Sequence, residues 1–147
     1  MTKGILRFFF DYGAGGCLWA GNEETLSKLG SGPVDAAFVD VDGRTKYEAS
    51  LILPEQTRQL IQQLDFEHSG YLNPLYPPDP SLWTQACCDR FNQRVDVLLR
   101  RLQHLLSDDY DIVDEQVRYI EDPELRVYLA DNPGLNAVDK VTKPTVS

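Results

Sequence analysis

Residues 82–106, LWTQACCDRFNQRVDVLLRRLQHLL, decide the architecture. Trp83, Cys87, Phe91, Val95, Leu98, Leu99, Leu102, Leu105 and Leu106 recur at spacings of three and four, the 3.6-residue stripe of a helix with one apolar face. This predicts a long helix from about Leu82 to Leu106, capped by Ser81, as the spine of the core. Its other side carries Arg90, Arg94, Arg100 and Arg101 against Asp89 and Asp96, a locally positive face in an acidic chain.

Working towards lower numbers, Tyr71 to Pro80 holds four prolines, which excludes regular helix and predicts a stiff surface crossing. Pro54 followed by Glu55 opens a helix through about Glu67 with Leu60, Ile61 and Leu64 on one side, stopping near Ser69-Gly70. Ala36 to Val41 and Arg44 to Leu51 flank Asp42-Gly43, the signature of a two-residue hairpin turn. Asn22 caps a short helix from Glu23 to Leu29 that ends at Gly30. The aromatic run Ile5 to Tyr12 reads as a buried strand, Gly13-Ala14-Gly15-Gly16 as a turn, and Cys17 to Ala20 as the returning strand.

Working towards higher numbers, Tyr110 to Arg118 reads as a further strand. Asp122 and Pro123 start a last short helix through Leu129. The expected fold is one α+β domain over residues 1–130, a mostly antiparallel sheet of about five strands packed by one long and one medium helix. Residues 131–147 are expected to form an extended or frayed tail.

The chain has 147 residues and a formal charge of −9. This size suits one domain that buries roughly 68–70% of its unfolded surface. The charge disfavours nucleic acid and anionic membranes as partners and favours a cationic one. Cys17, Cys87 and Cys88 make a poor disulfide framework and lack metal or redox spacing, which suggests reduced thiols. No apolar run reaches membrane-spanning length, so the expectation is a soluble cytoplasmic protein.

Few residues propose chemistry. His68 and His104 both fall on predicted helices and read as surface or capping histidines. Cys87 fits the apolar stripe, and Cys17 beside Trp19 reads as a small buried hydrophobe. Gly13-x-Gly15-Gly16 lacks the remaining signature of a phosphate loop, and Asp40-x-Asp42-Gly43 lacks the ligands of a calcium loop.

The acidic segment stands out. Asp108, Asp109, Asp111, Asp114, Glu115, Glu121, Asp122 and Glu124 face only Arg118 within the same stretch. Such density repels itself, so solvent, the arginines of the long helix or an external cation should offset it. The expected use is a docking surface for a basic protein, with Tyr110, Tyr119 and Tyr128 as candidate aromatic anchors and the carboxylates steering association. A metal site is disfavoured because no histidine or cysteine accompanies the acids, and no metal or cofactor is expected. An enzyme using a carboxylate pair such as Asp111 with Glu115 would need the two to converge with separated pKa values, so the protein is read as non-enzymatic. The alternative is a peptide- or small-ligand-binding module using residues 71–83, with Tyr71, Tyr76 and Trp83 as an aromatic patch.

Three stretches carry a resemblance: Ile5 to Gly13 with Gly16 to Trp19, Tyr76 to Trp83, and Asp111 to Gln116. They resemble segments of a group of small uncharacterised bacterial proteins. In size, acidity and mixed fold the chain is also similar to the cytosolic immunity proteins of polymorphic toxin and contact-dependent growth inhibition systems. That likeness of type implies a protein that binds one cognate toxin domain, nuclease-like and basic, and occludes its active or substrate-binding surface.

Overall fold

The computed structural model describes residues 3–36, 38–39, 45–47 and 50–141. Along the chain run β1 (Gly4–Phe8), β2 (Leu18–Ala20), α1 (Glu23–Leu29), β3 (Phe38–Val39), β4 (Thr45–Tyr47), α2 (Glu55–Ser69), α3 (Gln85–Leu106), β5 (Tyr110–Asp114) and α4 (Leu125–Asp131).

The α+β mixture and the pairing of one long with one medium helix agree with the sequence reading, but the sheet does not. Among the described residues three strands join, in the order β2-β1-β5, and β3 with β4 forms a separate two-stranded sheet. β1 is antiparallel to β2, with Arg7 opposite Trp19, and parallel to β5, with Arg7 opposite Val113. The expected mostly antiparallel sheet of about five strands is therefore replaced by a small mixed one. The physical reason lies in the pairing: β3 and β4 satisfy each other's main-chain groups, with a register shift between Phe38 and Val39, instead of adding to the ladder of β1. The predicted Asp42-Gly43 turn and the Asp40-x-Asp42-Gly43 segment lie outside the described residues.

Strand alternation sorts β1 into two faces. Leu6 and Phe8 are fully buried and meet Leu18 of β2 and Phe91, Val95, Leu98 and Leu102 of α3 in one core. Ile61 and Leu64 join that core from α2, which packs along α3. On the opposite face Arg7 lies 5.1 Å over the Phe9 ring, which stacks nearly parallel on Trp19 at 5.0 Å.

Local signals place α1 well. The Asn22 side chain accepts from Thr25 N, and Gly30, at φ 87°, turns the chain out of the helix. The start of α3 differs from expectation. Thr84, not Ser81, caps it, because the Ser81 hydroxyl is engaged by the Tyr71 carbonyl and Trp83 forms a parallel bridge with Val138. α4 likewise begins at Leu125, and Asp122 instead turns the preceding residues by accepting from Glu124 N. Beyond α4 the chain turns at Pro133-Gly134, where Leu135 N donates to Asn132 O, and Val138 exchanges main-chain hydrogen bonds with Leu82 and Thr84, tying this segment to the head of α3.

Candidate partner-binding surface

The acidic residues come from the turn after α3, from β5, and from the extended segment leading to α4. Alternation along β5 turns Tyr110 and Ile112 towards the core and leaves Asp111 and Val113 on the outer face with Arg7. Glu115 continues that outer row and is gripped by Arg7 through two hydrogen bonds of 2.7 and 2.8 Å. That guanidinium holds the Glu115 carboxyl below the usual carboxylate range, the opposite of what a general acid needs.

Part of the acidic charge is thus answered internally, but not by the residues anticipated. Lys3 approaches Asp111 at 3.9 Å, and Arg118 bridges Asp114 at 2.8 Å and Asp96 of α3 at 2.7 Å. Of the four arginines expected to neutralise the segment, Arg94 instead pairs with Glu67 of α2. Among the described residues Arg90, Arg100 and Arg101 form no ion pair with the segment.

Glu121 is held by a reciprocal pair of hydrogen bonds with Gln85 at the start of α3. Asp108, Asp109 and Glu124 have no side-chain partner among the described residues and stand exposed. Interleaved with these acids are Val113, Val117 and Ile120, exposed to 47%, 60% and 67%. These three apolar side chains stand within one stretch of chain that also carries the carboxylates.

Two clefts border this surface. One of about 440 Å³ between α1 and the turn before β5 mixes Lys3 and Lys28 with Glu24, Asp108 and Asp109, so its charges nearly balance. The other, about 340 Å³ between the proline-rich crossing and α4, is walled by Asp79, Glu124 and Asp131 with Pro80, Val127 and Tyr128, and among the described residues no basic side chain lines it. Among the described residues no group of three or more histidine, cysteine or carboxylate side chains is arranged to hold a metal ion.

The predicted aromatic anchors divide. Tyr110 is half-buried and packs against the core. Tyr119 turns inward, stacking on Tyr71 at 4.0 Å, and its hydroxyl meets His68 Nε2 at 3.0 Å. Tyr128 lines the acidic cleft. The alternative patch over residues 71–83 is not assembled, since Trp83 is buried with Tyr71 edge-on against it at 5.2 Å, leaving Tyr76 exposed without them. His68 is neither surface nor cap: it is 3% exposed among Phe10, Tyr12, Phe91 and Tyr119, and burial pushes its pKa from 6.5 to about 4. No sequence signal separates this histidine from an ordinary helix-end residue.

No protein-family model, no curated protein and no solved structure matches this chain. Among the described residues no helix is long and apolar enough to cross a membrane.

Proposed function

We propose that the chain is a non-enzymatic acidic docking protein that captures a basic protein partner on the surface built from the α3–β5 turn, β5 and the segment reaching α4. The observation that carries this reading is the run of exposed Val113, Val117 and Ile120 among carboxylates, three of which, Asp108, Asp109 and Glu124, lack a side-chain partner among the described residues. Apolar contacts supply affinity there, and the excess negative charge supplies steering and selection against acidic competitors. The cleft of Asp79, Glu124 and Asp131 is of a size to admit a lysine or arginine side chain over Tyr128. In the role implied by the likeness to immunity proteins, the partner is a cognate bacterial toxin domain and the chain acts in the cytoplasm, covering the toxin's active or substrate-binding surface.

Capture from an extract of the source cells tests this reading. The expected partner is a basic protein whose retention falls steeply with salt. Retention should also drop in a variant carrying Asp108→Asn, Asp109→Asn and Glu124→Gln, and in another carrying Val117→Ser and Ile120→Ser. A partner held equally well by both variants, or one of acidic charge, would overturn the assignment.

A further inference from the structure

The two edges of the three-stranded sheet are treated differently. Beyond β2 the ladder continues irregularly, because Val34 N donates to Leu18 O and Leu51 N donates to Val34 O. Among the described residues β5 pairs only with β1. Gly4 N donates to Asp109 O, and Glu115 N to Phe8 O, so in this parallel ladder the odd-numbered residues 109 to 115 turn their main-chain groups towards β1. The N–H and C=O groups of Tyr110, Ile112 and Asp114 therefore point away from the sheet, and among the described residues no main-chain group pairs with them.

Alongside this edge lies a depression of about 240 Å³ between the end of α3 and β5, walled by Gln103, Ser107, Lys3, Tyr110, Asp111 and Ile112. Elsewhere along the same pair of elements, Arg118 spans from Asp96 on α3 to Asp114 on β5. A strand edge running beside a helix, with a groove between them, can accept an extended chain as one more strand.

The charge around the edge selects the occupant. Asp108, Asp109, Asp111 and Asp114 line the strand and the turn that leads into it, against Lys3 and Arg118, which pair with Asp111 and Asp114, so the edge keeps a net negative charge. A second copy of this chain would set those carboxylates against their own equivalents, a like-charge arrangement that destabilises cross-strand pairing. We propose that β5 takes a short extended segment of a basic partner as a fourth strand, with side chains alternating between apolar and Lys or Arg. Strand alternation gives the pattern: one set of side chains drops into the groove beside Tyr110 and Ile112, and the other lies beside Asp111 and Val113 on the outer face. This inference rests on the reading of the chain as a docking protein for basic partners and adds how the partner is held.

The test uses a blocked synthetic peptide alternating valine and lysine, added to the full chain labelled with ¹⁵N. The expected result is protection at the outward amides of Ile112 and Asp114, with exchange slowed by about tenfold or more, and little change at Val113 and Glu115, whose amides already pair with β1. Asp111→Lys should weaken binding about tenfold or more. A peptide with the same side chains but N-methylated at alternate residues should lose binding on one of its two phasings, because ladder hydrogen bonds are removed while the charge is unchanged. Equal binding of every N-methylated peptide, or perturbation confined to the Asp79, Glu124 and Asp131 cleft, overturns strand addition and leaves the docking reading standing. Absence of binding by the parent peptide at low salt overturns it as well, and the capture experiment then judges the docking reading alone. Protection of the same amides accompanied by dimerisation without peptide would assign the edge to a second copy and overturn the choice of occupant.

Discussion

The imidazole of His68 on α2 meets the Tyr119 hydroxyl at 3.0 Å, and the tyrosine ring in turn stacks on Tyr71, so the segment after β5 is fastened to α2 through a buried histidine. The neutral ring is the form this site accepts, since burial lowers its pKa to about 4.

Above pH 6.5 His68 is neutral in both the folded and unfolded chain. Between 6.5 and about 4 only the unfolded chain binds the proton, so stability falls as the pH drops through that window, by up to about 3 kcal/mol at its lower end. Urea unfolding from pH 7.5 to 4.5 should show this slope, and His68→Phe should flatten it. An equal slope in that variant would show that another group carries the effect.

Glu67 provides a contrast of opposite sign. Its carboxylate is 4% exposed and meets Arg94 at 2.6 Å, yet burial outweighs the arginine and raises its pKa. Its contribution is greatest below the ordinary glutamate pKa and declines as the pH rises through the folded value. Removing the arginine with Arg94→Ala should cost about 3 kcal/mol near neutrality and less in acid, where Glu67 can take up a proton. Adding Glu67→Gln to that variant should recover most of the loss in the same denaturation assay.

Gly21 marks the close approach of the α1 entry to β1. Its amide donates to Ile5 O at 2.7 Å, and an added Cβ would lie 2.6 Å from Ile5 Cγ2 and 3.0 Å from the Ile5 carbonyl oxygen. Gly21→Ala should therefore destabilise by about 1–3 kcal/mol through overpacking. Gly13→Ala meets no neighbour within 4 Å, and its cost should come from its backbone at φ 73° instead. A thermal shift for Gly21→Ala no larger than for an exposed helix substitution would refute the steric argument.

All three cysteines are buried, and burial raises the pKa of Cys87 and Cys88 to about 11 and also pushes that of Cys17 well above its ordinary value. The folded protein should react with an aromatic disulfide reagent only as fast as it opens, and all three thiols should titrate promptly in denaturant. A thiol modified within seconds under native conditions would place that cysteine outside the core.

Legibility followed the range of the interactions involved. α1 could be read because Asn22, Gly30 and the acids between them act within a single helix, and the β1–β2 return could be read because its glycine turn is local. The parallel pairing of β1 with β5 leaves no local mark, so the sheet was over-counted from segments that each look like a strand. The same ignorance of register misplaced the cations. Lys3 and Arg7 reach the acidic segment because β1 lies beside β5, whereas the four arginines on α3 had drawn attention by number alone. Ser81 resembles a cap in sequence, but its hydroxyl is claimed by a residue ten positions earlier, and His68 reads as an ordinary helix-end residue because its aromatic enclosure is assembled from three separate segments.

The central position of β1 in the sheet also bears on synthesis. During translation this strand leaves the ribosome about a hundred residues before β5, its parallel neighbour, so half of its ladder must wait for nearly all of the intervening chain. Throughout that interval Phe8 and Phe10 have no finished core to enter, so the nascent polypeptide carries exposed aromatic surface of the kind that promotes aggregation.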